Sequence, residues 1–368
     1  MAFANVTRLL RSVRKEPGEQ HTSTLTHMNQ EISFRRITKY VGLFLGAFLI
    51  VATGAWGTFA LYFDGPEHDT LRTFLASGFA GAGLVSLVGY GTPRFRWLAT
   101  GSYLSLFVVL VMWWSMIEPS NDRQWQPEVA LLPYATFDKN LITVHNIRNF
   151  DYHTETDFTP VYYDRPYDLK KLDSADLVAA YWMGPEIAHI FLTFGFGDDY
   201  LAISIEARKE ATEGYSSIKG FFKQYELIYI VGDERDLIRV RTNYRKDPPE
   251  DVYLYPLAGS PENARRVFLD YLTTINQLRE RPTFYNTLTA NCTNVIWMHT
   301  RLNPGHVPFS WKILLSGYTP AYLHEQGKLG TGFSFEELQR RSHLNEVALQ
   351  ADQAPDFSRR IRSHLLSP

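Results

Sequence analysis

The sequence predicts an α-helical membrane segment of three spans followed by an α+β domain built on an antiparallel sheet. Three observations predict it. The long apolar runs are confined to the part before residue 118. Short runs rich in β-branched and aromatic residues follow, and downstream of them lies one strongly amphipathic helical stretch.

The first apolar run, "YVGLFLGAFLIVATGAWGTFALYF" at 40–63, carries no charge and is long enough to cross a hydrocarbon core. A second run at about 74–90 contains Gly78, Gly81, Gly83 and Gly89, and a third at about 98–117 ends in Trp113 and Trp114. Glycines allow close helix approach in lipid, and tryptophans suit the headgroup boundary. Arg8, Arg11, Arg14, Lys15, Arg35, Arg36 and Lys39 all precede the first span, so residues 1–39 are expected to be a cytoplasmic leader. The loop "DGPEHDT" has no Lys or Arg, whereas "TPRFRW" has Arg94 and Arg96, which fits alternating sides. The long polar leader argues for an anchor rather than a cleavable signal peptide. The expected organisation is then a membrane region over 40–117, an external catalytic domain over 118–330, and a C-terminal tail over 331–368.

After the polar linker "EPSNDRQWQPE", "NLITVHNI" alternates as a strand and "SADLVAAYW" reads as a short helix capped by Ser174. "AHIFLTFGF", "DYLAISIEAR" and "YELIYIVG" predict three strands, the first pair joined through a Gly-Asp-Asp turn. "SPENARRVFLDYLTTINQLRERP" predicts a helix with Ser260 as cap and Pro261 at its first position. Ala264, Val267, Phe268, Tyr271, Leu272, Ile275 and Leu278 share one face. A further helix starts near Thr293 and is closed by Pro304 and Gly305.

A net charge of −2 gives no electrostatic footprint for nucleic acid. Metal chemistry lacks support: there is no His-Glu-x-x-His, and "HNIRNFDYH" has no recognised ligand spacing. No cofactor is expected.

Cys292 is the only cysteine among 368 residues, so in an oxidising compartment it has no intramolecular disulfide partner. It follows Asn291 at the first turn of a predicted helix, where unpaired backbone N–H groups favour thiolate over thiol and can stabilise an oxyanion. The plainer alternative is a helix cap at Asn291 with a merely buried Cys292 beside it. A thiol nucleophile needs a base, and among eleven histidines His189, at the start of a strand, is the best placed. His306, His145 and His153 stay open, whereas His299, about 10 Å along the same helix, is out of direct reach. On the next strand Ser204 and Glu206 share one face, and either could orient the imidazole; Glu206 is preferred, with a surface ion pair to Arg208 or Lys209 as its alternative. Asn291 and Ser204 are candidates for oxyanion stabilisation or positioning. Within "DERDLIRVRTNYR", Arg239 and Arg241 are candidates for binding lipid headgroups, against the alternative of a solvated strand edge.

These residues carry a resemblance. His189 on a strand, followed far downstream by Asn-Cys at a helix start, resembles circularly permuted papain-like enzymes such as the lecithin:retinol acyltransferase group. "NFDY", "AHIFLTFGF", "SIEARKE", "QYELIYIVGDERDLIRVRTNYR", "VYLYPL" and "YNTLTANCTNVI" look like successive blocks of the Lnb-type periplasmic domain family, a lipoprotein N-acyltransferase-like group. The resemblance implies a permuted papain-like domain on the periplasmic side of a bacterial inner membrane, with Cys292 as nucleophile and His189 as base. It further implies thiol-dependent acyl transfer, while the membrane anchor makes membrane lipids the expected partners and a lipoprotein or phospholipid the expected substrate. An envelope cysteine peptidase or amidase of the same fold, or a non-catalytic membrane-anchored scaffold, are the alternatives.

Overall fold

A computed structural model describes residues 17–330, 332–363 and 365, with side chains from residue 34 onward. The leader's first sixteen residues, with Arg8, Arg11, Arg14 and Lys15, lie outside the described residues, as does His364. The chain divides into two compact units between Met116 and Ile117.

The first unit is three helices, α1 (Pro17–Asp64), α2 (Asp69–Gly91) and α3 (Arg96–Ser115). Phe34–Asp64 of α1, all of α2 and all of α3 are each long and apolar enough to cross a membrane. Most of their large apolar side chains are exposed, Phe44, Phe48, Val85 and Val109 among them. In water such a surface would be strongly unfavourable; in lipid it costs nothing. The helices meet through small residues and a few polar anchors. A Cβ on Gly57 would overlap Phe79 and Leu110, and Gly46 is filled by the Tyr90 ring. Tyr103 shares a hydrogen bond with Thr53 (2.9 Å), and the Trp114 indole N–H donates to Asp64 (2.6 Å).

The second unit is an α+β domain. Its main sheet runs β1 (Tyr134–Asp138), β2 (Leu141–Arg148), β9 (Glu226–Gly232), β8 (Asp199–Arg208), β7 (Ala188–Phe196), β6 (Ser174–Tyr181) and β10 (Asp251–Pro256), with β5 (Tyr162–Asp168) also pairing β2. The short strands β3 (Asp151–Tyr152) and β4 (Phe158–Thr159) form a separate ribbon.

Two expectations are corrected here. The sheet is mixed, because β2 and β9 run parallel at Arg148↔Gly232 while every other pairing is antiparallel. No hairpin joins those two strands, so no turn dictates their direction. Their junction is held instead by the buried Arg148–Asp236 pair (2.7 Å), with Asp236 also accepting from the Phe150 N–H and the Tyr152 hydroxyl. The second correction is "SADLVAAYW", which is strand β6 rather than a helix. Ser174 bonds Asp173 instead of capping, and Asp176 to Ala180 are all buried between β7 and β10. Its alanines suit a strand covered on both faces, so packing overrides their helix preference.

All nine residues of β7 are buried, which is why its sequence is a continuous apolar run without alternation. One face of the sheet packs against α5 (Pro261–Glu280) and α6 (Cys292–Thr300) through Ile190, Leu192, Phe194, Ile203, Phe268 and Ile296. The other is covered by α4 (Glu234–Leu237) and by the segment after residue 330, whose helices α10 (Asn345–Gln350) and α11 (Phe357–Arg360) bring in Leu344, Ala348 and Phe357. Arg362 ties that segment down through Asp176 and Glu234 (both 2.7 Å). Between α6 and residue 330 lie α7 (Trp311–Leu314) and α8 (Thr319–Glu325), and α9 (Phe335–Ser342) opens the last segment.

Candidate active site

Cys292 is the first residue of α6, and the local sequence fixes that boundary. Asn291 has extended backbone angles, and its side-chain oxygen accepts from the Asn294 N–H (2.8 Å) while its amide donates to Thr287 O (2.7 Å). The Asn291 side-chain oxygen and one of its amide N–H groups are thus engaged by the cap and the preceding turn. Asn291 thus holds the start of α6 in place and lines the same cleft as Cys292.

His189 sits near the start of β7, and of the described histidines it is the one the fold brings to Cys292. Its Nε2 lies 2.6 Å from Ser204 Oγ and 3.1 Å from Glu206 Oε1, both on β8. The Ser204 hydroxyl donates to Glu206 (2.7 Å), so the imidazole N–H reaches the carboxylate both directly and through Ser204. With Nε2 engaged there, Nδ1 is left for the thiol. Glu206 is held in turn by Arg241 (2.9 Å), which also pairs Glu250 (3.3 Å), and Arg245 closes the row on Glu250 (2.6 Å).

The electrostatics follow from this chain of charges. Burial alone would raise the Cys292 thiol, but the charge on His189, a hydrogen bond with it, the Ile190 N–H and the Thr293 hydroxyl outweigh burial and lower it. Burial would lower His189 and Arg241 repels its charge, yet Glu206, aided by the Cys292 thiolate, pushes it up to about 9. Burial likewise opposes the Glu206 charge, but His189, Arg241 and Ser204 hold its carboxyl well below the ordinary range. The arrangement favours a thiolate–imidazolium pair, the reactive form of a cysteine nucleophile.

The other histidines are elsewhere. His145 pairs Asp164 (2.7 Å) and stacks on Tyr134, His153 is exposed in the β3–β4 ribbon, and His306 is exposed near Asn303. His299 is locked between Tyr229 (2.6 Å) and Asp270 (2.6 Å).

"DERDLIRVRTNYR" also differs from expectation, being α4 followed by a π-helical turn over Val240–Tyr244 rather than a strand edge. Arg239, 3% exposed, bonds the Asp352 and Phe150 carbonyls, which leaves no surface for a headgroup. Arg241, 5% exposed, has its charge matched by Glu206 and Glu250. The contribution of Arg241 to the site was hidden in the sequence, because only the π turn carries its side chain under β8. Among the described residues no group of three or more His, Cys, Asp or Glu side chains could hold a metal.

The thiol opens on a cleft of about 470 Å³ that also exposes His189, Glu206, Arg245, Tyr215, Tyr285 and Met183. A second, apolar cavity of about 170 Å³ lies between β7, α5 and α6, lined by Ile190, Leu192, Val267, Ile296 and Trp297. Thr293 borders both spaces.

Residues 158–317 match the family of the Lnb N-terminal periplasmic domain. The comparisons with curated proteins and with solved structures give no match.

Proposed function

Since its segment 158–317 is of the Lnb N-terminal periplasmic domain family, we propose that this membrane-anchored chain with a periplasmic domain is a thiol-dependent acyltransferase using Cys292. In this reading the N-terminus is cytoplasmic and the domain after Ile117 stands on the periplasmic face of a bacterial inner membrane, in a permuted papain-like arrangement. The observation that carries the chemistry is that Cys292 and His189 line one cleft, with His189 anchored by Ser204 and Glu206.

The thiolate attacks an ester carbonyl carbon, and the N–H groups at the start of α6 and at Ile190 face the developing charge. As the C–O bond breaks, the His189 imidazolium gives its proton to the departing alkoxide, leaving a thioester on Cys292. An acceptor amine then attacks the thioester carbonyl, His189 takes the amine's proton, and the thiolate departs. The apolar cavity beyond Thr293 supports an acyl donor. It is comparable with the roughly 150 Å³ apolar cavities that stay dry and take up benzene, enough for a segment of an alkyl chain.

The cleft itself favours a second reading. Its charged wall of Lys209, Arg245 and Glu250 would suit a peptide, making the enzyme an envelope amidase or peptidase with the same nucleophile.

Incubation of the purified full chain with an alkyne-tagged phospholipid tests the proposal. Hydroxylamine-sensitive labelling that Cys292→Ser and His189→Ala both abolish is the expected result. No labelling of the unsubstituted protein, together with cleavage of a peptide substrate, would replace the first reading with the second.

A further inference from the structure

Beside the charged wall of the Cys292 cleft lies an exposed apolar stretch. Ile218 is 58% exposed and Leu288 51%, and Tyr215 and Phe221 of the same loop as Ile218 are exposed too. Tyr215, Phe221 and Met183 line the cleft directly. Tyr215, Ile218 and Phe221 share one loop, and Leu288 is on the turn fastened to it. The Thr287 N–H donates to Gly220 O (2.8 Å) and its hydroxyl to Ser217 O (2.9 Å), which fastens the 215–222 loop to the turn carrying Leu288. Leu288 O accepts from the Asn294 side chain on α6 (2.5 Å), two residues beyond the nucleophile.

The same loop holds the first residue of the second unit. Helix α3 ends at Ser115, and Ile117, the first residue of the second unit, has its carbonyl held by the Lys223 ammonium (2.7 Å). Lys223 and Lys219 flank Phe221, the pattern of basic groups at headgroup level around apolar side chains that enter the acyl region. An exposed apolar cluster of this kind marks an interaction surface. Ile117, which this loop holds, is two residues in sequence from the end of the last apolar helix, and that short link argues for lipid as the partner.

We propose that the rim formed by Tyr215, Ile218, Phe221 and Leu288 docks into the bilayer interface, so that the Cys292 cleft opens onto lipid. This deepens the acyltransferase reading by naming the bilayer as the source of the substrate. The docking itself stands on the rim and is measured without turnover.

The test places single cysteines in the full chain, in a Cys292→Ser background reconstituted in nanodiscs. The positions are Ile218→Cys, Leu288→Cys and, as control, Asp198→Cys at the turn beyond the far end of β7. Each carries an environment-sensitive fluorophore, and nitroxide-labelled lipid is the quencher. Loss of fluorescence at Ile218 and Leu288 but not at Asp198 is expected, and adding Ile218→Asp should restore the Leu288 signal. Equal quenching at all three positions overturns the proposal. So does a label at Ile218 that is shielded from aqueous iodide yet untouched by the lipid quencher, since that would mark a protein-covered face. Quenching as expected, with no phospholipid labelling of Cys292 in the unsubstituted protein, would leave the docking standing and remove the acyltransferase reading.

Discussion

Glu206 Oε1 lies 3.1 Å from His189 Nε2 and receives the Ser204 hydroxyl as well, so the imidazole is backed by a carboxylate along two routes. Such backing fixes the tautomer and stabilises the imidazolium that forms when the thiol ionises. Glu206→Gln should therefore lower kcat of acyl transfer by roughly 10²-fold while leaving KM within a few fold. Ser204→Ala, which keeps the direct contact, should cost less. Steady-state kinetics on both variants checks the order of the two effects.

The charge row His189–Glu206–Arg241–Glu250 makes the domain sensitive to acid. Glu206 and Glu250 both have folded pKa values held below the ordinary carboxyl range, with their cationic neighbours overcoming burial. Depressed carboxyls contribute stability that is fully present above the unfolded value, about 4.3, and is lost as pH falls through the folded pKa. Thermal unfolding should show Tm falling below that pH, and falling less steeply in Glu206→Gln.

Arg241, itself buried, pairs the buried Glu250 and the half-buried Glu206, so Arg241→Met leaves each acid with one cationic neighbour fewer. A loss of about 3–5 kcal/mol is expected, because breaking a buried pair costs more than the pair contributes. Denaturant unfolding measures it. Pairing the change with Glu250→Gln should recover part of the loss.

Asn291 provides a sharper separation of structural from chemical roles. Its side chain caps α6, so Asn291→Ser should retain most activity, while Asn291→Ala should lose about 1 kcal/mol of stability. An equal, large loss of kcat in both variants at unchanged stability would instead place the Asn291 amide at the reacting carbonyl.

The legible parts of this fold are those where one local rule dominates. The three apolar helices were readable from length alone, and α5 from its Ser260 cap, Pro261 and 3.6-residue periodicity. His189, Ser204 and Glu206 could be grouped because period-two alternation puts Ser204 and Glu206 on one face of the strand next to His189. What was not legible depends on distant partners. Strand β6 resembles a helix until β7 and β10 enclose it, and the parallel β2–β9 contact has no turn to announce it. Arg241 reaches Glu206 only through a π turn that its sequence does not signal.

The account rests on a thiolate at Cys292 made by His189, and the pH dependence of Cys292 alkylation in the full chain measures that most directly. With one cysteine in the protein, iodoacetamide uptake reports this thiol alone. The lowered thiol and the raised imidazole predict a rate that climbs to its plateau below the pH at which an ordinary thiol ionises, with the climb moved upward in pH by His189→Ala. A wild-type profile centred at or above the ordinary thiol value, and unchanged by His189→Ala, would contradict it.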